Sequence, residues 1–470
     1  MGSVSAKPEI LLWHGFRHDL LKKLEQNPEK LVQFSKFSLC DVNRLDLKKV
    51  PDENRENKDS AVFLGRLAVN RDKIIPVVYK IFLTPRKTDN TLYTEVRLHA
   101  NYVNALLDLY ATPCFTRFLG YADCPDFADD ILSEEYQNKI LSPDVKQYIK
   151  KLTEEKIFGI TLAKKSERED EVSIHTLVTE QVIDAVTLED WFSLSNIQES
   201  DCKSLYFELM YTLMVMNLAS LRHHDLHWKN ILIERSNFPV QRFYVFQDTE
   251  DGTVKYVRIN SSFQPKIFDW DWGAAKTVQN NVLKTFCEDS IGLCNIGQAT
   301  KLKVPDSDAR DVMYVFRNTF LLWKRHALAP HHAWLEDFMK FSVSFPALEV
   351  LSKLDVLKPQ KEFPWFSRPL AENINDNPEI IRGVLNTKEF PWWLKSFISI
   401  LKYEGFKNFY VDESVVSKQL QDETLLFSPQ QQLRKSFLNR WAMPIEPEKG
   451  PLKNIPESKK IYERIKKFKK

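Results

Sequence analysis

A short polar run, Arg222-His223-His224-Asp225-Leu226-His227-Trp228-Lys229-Asn230, is wedged between two apolar segments of different period. Before it, Leu205, Leu209, Met210, Leu213 and Leu218 recur at helical intervals through residues 201–221, with Ser200 or Asp201 at the N-cap. After it, Ile231-Leu232-Ile233 reads as a strand. A chain that passes from helix to strand through three histidines, an acid and an amide must hold those groups on a loop. Burying them inside either element would strand polar groups without partners. One reading is a polar helix-end turn whose histidines cap carbonyls. The other is a loop that carries chemistry, with Asp225 and Asn230 as its working groups.

Composition supports large folded cores. Of the 470 residues, 43% are hydrophobic and 12% aromatic, which argues against wholesale disorder. That length allows two or three domains, or one two-lobed domain with extensions. The net charge of +2 sets up no global field, so there is no strong nucleic-acid signal and no pull toward a charged membrane surface. No apolar run is long enough for a transmembrane segment, and the N-terminus shows no signal-peptide core. Met1-Gly2-Ser3-Val4-Ser5-Ala6 lacks the Ser or Thr that myristoylation favours at the sixth position. The six cysteines, Cys40, Cys114, Cys124, Cys202, Cys287 and Cys294, are scattered without zinc-like spacing. Reduced thiols in an intracellular, cytoplasmic setting are expected, with nucleus or virion as other placements. Cys287 and Cys294 read as ordinary semi-buried thiols or as a regulatory pair.

The texture changes along the chain. Ile10, Trp13, Phe16, Leu20, Leu21 and Leu24 predict one or two helices over residues 9–35. A polar break at 51–59 precedes two predicted strands, Ala61–Val69 and Ile74–Phe82, joined by a turn at 70–73. Leu92, Val96, Ala100, Val103 and Leu107 form one apolar stripe and predict a helix over 91–108. A charged stretch over about 124–170 reads as a solvated insertion. Residues 242–260 predict a hairpin around Asp251-Gly252, a favoured tight-turn pair. From 308 onward the pattern is helical and rich in Trp and Phe, ending in a basic tail that is either solvated or drawn to anionic surfaces.

Three groups of residues share one chemical use. Transfer of a phosphoryl group needs phosphate charge neutralised, a metal held and a hydroxyl aligned. Lys80 on the second predicted strand suits the first need, with Glu95 on the helix after it as carboxylate partner. A surface lysine on an edge strand, with a surface glutamate, is the plain alternative. Asp269 and Asp271, in Ile267-Phe268-Asp269-Trp270-Asp271-Trp272-Gly273, offer the hard oxygens that Mg²⁺ prefers, and Asn230 adds another ligand. Asp225 would align or deprotonate the hydroxyl. His227, or alternatively Lys229, would set a cation against the transferred group. His223 would bridge the loop to the backbone of the acid-bearing strand.

In order and spacing these pieces resemble the eukaryotic protein kinase-like fold over roughly residues 60–320. Asp225-Leu226-His227-Trp228 is similar to the catalytic loop of haspin-type kinases and of divergent kinases of large DNA viruses. The resemblance implies an α+β, two-lobed fold with a small β-rich N-lobe and a larger helical C-lobe carrying extensions. Its expected limits are an N-terminal helical extension at 1–50, an N-lobe at 51–180, a C-lobe at 181–330 and a helical C-terminal extension at 331–470. It implies Asp225 as catalytic acid-base group with His227, the Lys80–Glu95 ion pair, and Asn230, Asp269 and Asp271 as metal ligands. Lys80 and the hinge-like Glu180, Gln181 and Val182 would bind ATP, with Mg²⁺ as cofactor. Asp308 or Asp311 would anchor the loop from a later helix.

The sequence also departs from that pattern. The turn Asn57-Lys58-Asp59-Ser60-Ala61 has no glycine, and Gly65 stands alone. His224 replaces the arginine that receives a phosphorylated loop, and no Ala-Pro-Glu-like motif falls between 274 and 307. The expected function is an ATP-dependent serine/threonine protein kinase acting on a protein substrate. The alternatives are a catalytically weak pseudokinase scaffold or virion component, and a small-molecule kinase.

Overall fold

Alternating branched residues build the first sheet. The computed structural model describes residues 9–10, 48–49, 60–68, 73–85, 91–108, 111–124, 172–194, 196–248, 250–275, 278, 309–326, 329–353 and 391–416. Within it, Ser60–Ala68 (β3) and Lys73–Pro85 (β4) pair antiparallel from Ala68↔Ile74 to Ser60↔Phe82, close to the predicted spans. Phe118–Cys124 (β5) and Val172–Glu180 (β6) complete the sheet, in the order β2-β3-β4-β6-β5. Here β2 is Lys48–Lys49, and β1, Glu9–Ile10, runs parallel to the start of β4. The helix predicted from residue 9 is therefore corrected at Glu9–Ile10, whose backbone joins the sheet; the rest of that prediction lies outside the described residues. So do most of the charged insertion, the tail, Cys287 and Cys294.

Two consequences concern the expected site. Strand β4 lies inside the sheet, between β3 and β6, so Lys80 sits opposite both Val62 and Leu177. The edge-strand alternative for Lys80 fails on that pairing. Gly65 is mid-strand opposite Val77 and makes no turn.

Residues 91–108 are helical, as Thr91–Leu98 (α1), a π turn at His99–Val103 and Asn104–Asp108 (α2). The wider turn shifts the phase of the expected stripe. Leu98, Val103, Leu106 and Leu107 are buried, while Val96 and Ala100 are only partly so. The chain divides into two units, crossing between them at Ala100/Asn101 within this helical stretch, at Phe115/Thr116 and at Ile183/Asp184. The first comprises the described residues within 1–100 and 116–183; the second, those within 101–115 and 184–470. The expected lobe boundary at 180 lies just before the last of these crossings.

The second unit is organised on Glu199–Leu218 (α4), which is buried on all sides from Ser204 to Met216. Its N-cap is Gln198, whose backbone N–H donates to the Asp201 carboxylate at 3.0 Å, so Asp201 serves one turn further in than expected. The predicted hairpin is only the outer half of a longer one. Ile231–Gln247 (β9) and Val254–Ile267 (β10) pair from Ile231↔Ile267 to Gln247↔Val254, with one register shift between Ser261 and Phe263. The tip is a wider loop than an Asp-Gly turn. Asp248 N–H donates to Thr253 O, and Gly252 N–H to Asp248 O, with Gly252 at φ +72°. Val186–Thr187 (β7) and Tyr410–Val411 (β12) flank the hairpin in the order β12-β10-β9-β7.

The helices Leu188–Phe192 (α3), Arg310–Arg325 (α5), His332–Ser342 (α6), Phe345–Lys353 (α7) and Phe397–Leu401 (α8) complete the unit. The described part of the expected C-terminal extension belongs to its core: Trp334 and Phe338 pack on Tyr206, and Phe406 on Phe207. Among the described residues no helix is long and apolar enough to cross a membrane.

A buried charge fixes the hairpin to α4. Glu208, fully buried, accepts from Arg242 Nε and from its Nη2 at 3.1 Å, and from Tyr244 Oη at 2.5 Å. Arg242 also donates to the Phe263 carbonyl at 2.7 Å. Removing one partner of such a pair leaves the other charge buried and alone. Arg242→Met is expected to cost about 3–5 kcal/mol in urea unfolding. The double variant with Glu208→Leu should regain most of that loss.

Candidate functional site

The polar run leaves α4 through Ser220, at φ +53°, and forms Leu221–Arg222 (β8). This strand pairs with Ala274–Ala275 (β11), Ala274 opposite Arg222. The pairing sets the loop beside the segment that carries Asp269 and Asp271. At its other end, Asn230 leads into β9 while Ile267 closes β10 directly opposite Ile231. The hairpin thus leaves and returns at the same place, and Phe268 N–H reaches the Asn230 carbonyl at 3.3 Å.

Helix α5 holds the loop along its length. Asp311 accepts the backbone N–H of His223 at 2.7 Å and of His224 at 2.8 Å, one on each carboxylate oxygen. Asn318 Nδ2 donates to the Leu226 carbonyl at 3.0 Å. The Arg325 guanidinium lies 5.0 Å from the Trp228 ring centroid and pairs with Glu189 of α3 at 3.0 Å. Asp311, Asn318 and Arg325 are each seven residues apart, which is about two helical turns and puts them on one face. Of the two expected anchors, Asp311 fills the role; Asp308 lies outside the described residues.

The three histidines each take a different part. His223 Nε2–H donates to the Phe268 carbonyl at 2.8 Å, and its Nδ1 receives the Asp225 N–H at 3.3 Å. It is thereby the expected bridge to the acid-bearing segment, and its ring also meets Trp270 at 4.7 Å between centroids. His224, at φ +65°, donates from Nδ1 to the Trp272 carbonyl at 3.1 Å. Burial lowers the pKa of both rings, that of His224 to about 3 with Arg310 pushing the same way. His227 Nδ1 accepts the Lys229 N–H at 3.1 Å, which leaves Nε2–H facing Asp225 Oδ2 at 3.6 Å. Burial lowers His227 to about 4, partly opposed by Asp269. His227 is therefore neutral near pH 7, a hydrogen-bond donor where the sequence reading placed a cation. Lys229 is exposed.

Asp225 shares its surroundings with the other acids. Burial first, and the charge of Asp269 next, hold its carboxyl well above the usual carboxylate range. Arg310 opposes this, while Asp271 and Asp311 add to it. Asp269, two residues past the end of β10, acts on Asp225 more strongly than Asp271 does. Asp269 holds φ +66°, a backbone conformation that L side chains seldom adopt. Asn230 is buried and donates from Nδ2 to the Asp225 carbonyl at 2.9 Å, which leaves its amide oxygen as an acceptor. Asp269 and Asp271 bring carboxylate oxygens within 4.8 Å of one another, hard donors of the type that Mg²⁺ takes.

In the first unit, Lys80 Nζ meets Glu95 Oε2 at 3.0 Å, with side-chain exposures of 10% and 3%. So little exposure rules out a surface pair. At the hinge-like segment, Glu180 N–H donates to the Arg117 carbonyl at 2.8 Å, and its carboxylate accepts the Arg117 N–H at 2.8 Å. Gln181 N–H donates to the Pro76 carbonyl at 3.0 Å. Val182 is half-buried, and among the described backbone bonds none uses its N–H.

Several working residues were not singled out from the sequence. Asn318 and Arg325 had one usable signal, their places seven and fourteen residues after Asp311 on a helix otherwise rich in apolar residues. Trp270, fully buried against Phe115 and His223, had none beyond its position. Two outcomes follow from the anchors and the rings. Asp311→Ala should remove about 1.5–3 kcal/mol for each N–H bond lost, read as faster hydrogen exchange at the His223 and His224 amides before global unfolding. The three loop histidines have lowered pKa values in the fold, so the unfolded chain binds more protons at these positions below the ordinary value of 6.5. Unfolding free energy should therefore fall on acidification from pH about 6.5 to about 4, with Asp225, shifted upward, offsetting part of it. Urea titrations across that range check the sign, and His227→Gln should flatten the slope.

No family model matches the chain, and no curated protein matches it. Among solved structures, a crystal structure of a kinase domain is similar to it at a TM-score of 0.32 and 14% sequence identity, over 84% of this chain and 95% of that chain. A TM-score of 0.32 is too low to add weight to the geometry.

Proposed function

We propose that the chain is an ATP- and Mg²⁺-dependent phosphotransferase acting on serine or threonine hydroxyls of a protein, with a two-lobed kinase-like fold. The observation that carries this reading is the His223 bridge, 2.8 Å from Nε2 to the Phe268 carbonyl, on a loop gripped by Asp311. It ties Asp225 to the segment bearing Asp269 and Asp271. Phosphoryl transfer asks for position and charge placement more than covalent help, so a rigid tie between these acids is what such a site requires. The buried Lys80–Glu95 pair supports the reading from the first unit, as a held cation suited to nucleotide phosphates.

In this reading the Asp225 carboxylate accepts the hydroxyl proton as the hydroxyl oxygen bonds to the terminal phosphorus and the bond to the departing diphosphate breaks. His227 contributes Nε2–H to phosphoryl oxygens as a neutral donor. Asn230, Asp269 and Asp271 would hold Mg²⁺, which when bound supplies neutralisation of phosphate charge. Of Glu180, Gln181 and Val182, the first two already donate their N–H groups within the fold, so Val182 is assigned to the adenine edge.

The test is phosphate incorporation from ATP and Mg²⁺ into generic protein substrates. Asp225→Asn should lower the rate about 10²- to 10⁴-fold with the thermal melt retained. Stabilisation by nucleotide with no turnover in the wild type would replace this reading with a pseudokinase scaffold. Turnover confined to an amine or sugar acceptor would replace it with a small-molecule kinase.

A further inference from the structure

We propose that His99 is a positioning residue for the Lys80–Glu95 pair, its Nε2–H directed at the carboxylate oxygen that Lys80 leaves unused. The inference deepens the phosphotransfer reading and rests on it for its catalytic meaning. Lys80 holds Glu95 Oε2 at 3.0 Å, while His99 Nε2 lies 3.8 Å from Oε1, one helical turn further along. A closing of about 0.7 Å makes that contact a full hydrogen bond. One carboxylate oxygen thus faces the sheet and the other faces its own helix. A carboxylate with one partner turns about its last torsion, which is broad, and exchanges its oxygens. A second partner selects one orientation and fixes where the lysine ammonium sits.

The backbone and the ring neighbour both favour this role. His99 is the first residue of the π turn, where the helix widens after Leu98. Its side chain is 1% exposed, and its ring stacks on Phe118 at 5.7 Å and 22°. Stacking sets the plane of the imidazole and so the direction of its N–H. A buried ring used only for packing needs no nitrogen aimed at a buried carboxylate.

The test separates ring from donor. His99→Phe keeps a stacking ring and loses the N–H; His99→Gln keeps an N–H donor and loses the ring. Lys80 is acylated with an amine-directed reagent and its peptide quantified by mass spectrometry, with Glu95→Gln as reference. A lysine released from its carboxylate gives up its proton more readily and acylates faster. Faster labelling of Lys80 in His99→Phe, approaching Glu95→Gln, with near wild-type labelling in His99→Gln, is the expected result. Wild-type labelling in His99→Phe overturns the inference, as does acceleration confined to His99→Gln. If His99→Phe does not fold, the ¹⁵N resonance of His99 Nε2 decides in Glu95→Gln: it should move, and an unmoved resonance overturns the inference. Where phosphotransfer is present, His99→Phe should also raise KM for ATP more than it lowers kcat. Absence of phosphotransfer in the wild type defeats the functional reading alone, because the labelling and resonance outcomes do not depend on turnover.

Discussion

Two backbone N–H groups donated to one buried carboxylate decide where the loop can be. Asp311 takes both from His223 and His224, residues whose backbone forms no helix or strand there. Buried amides without partners are rarely tolerated, so the loop conformation exists because α5 supplies the acceptor. The same helix then follows the loop downstream through Asn318 and Arg325. A helix is a stiff rod with fixed spacing, and a loop fastened to it at successive points inherits that stiffness. The positive φ at His224 is held by the same fastening. What reads in sequence as a polar connection is a backbone stretch fastened at several points to α5.

The electrostatics follow from how much water the site excludes. Three neighbouring histidines lose basicity, and Asp225 loses acidity, all with burial as the first cause. Neutral imidazoles can accept at one nitrogen and donate at the other, which charged ones cannot. His223 uses both roles, receiving the Asp225 N–H and donating to the Phe268 carbonyl. The acceptance of the Asp225 N–H therefore depends on that ring being uncharged, whereas the donation to Phe268 does not. Repulsion among the acids points the other way: it leaves a local excess of negative charge that a cation would satisfy.

Much of this was legible because it lies in local pattern. The strands holding Lys80, the helix holding Glu95 and the loop from Arg222 to Asn230 all follow from residue periodicity and from the placement of polar groups. The strands at 118–124 and 172–180 were not named, because short apolar runs fit helix and strand alike until a partner is known. Ile10 was misread for a related reason: a helical spacing of apolar residues says nothing about an edge offered by a distant strand. The π turn at His99 leaves no mark in the periodicity other than a stripe that loses phase. Spacing leaves Asp308 and Asp311 equivalent, three residues apart at the start of one helical pattern; the Asp311 carboxylate takes the loop amides, and Asp308 lies outside the described residues.

The hairpin between Asn230 and Phe268 has a consequence for how this chain can change length. Ile231 lies opposite Ile267, so the separation of the two ends is set by one rung of the ladder, whatever extends beyond it. Matched additions or deletions of two residues in each strand move the tip outward or inward, leave that rung alone and keep the facing of the side chains beyond it. An unmatched single residue is different, because it turns every side chain beyond it to the opposite face. Beyond the rung, Tyr244 and Arg242 face Glu208, and an odd slip between them and Ile231 would exchange buried polar groups for their neighbours. The bulge between Ser261 and Phe263 shows one such mismatch already accommodated within the ladder.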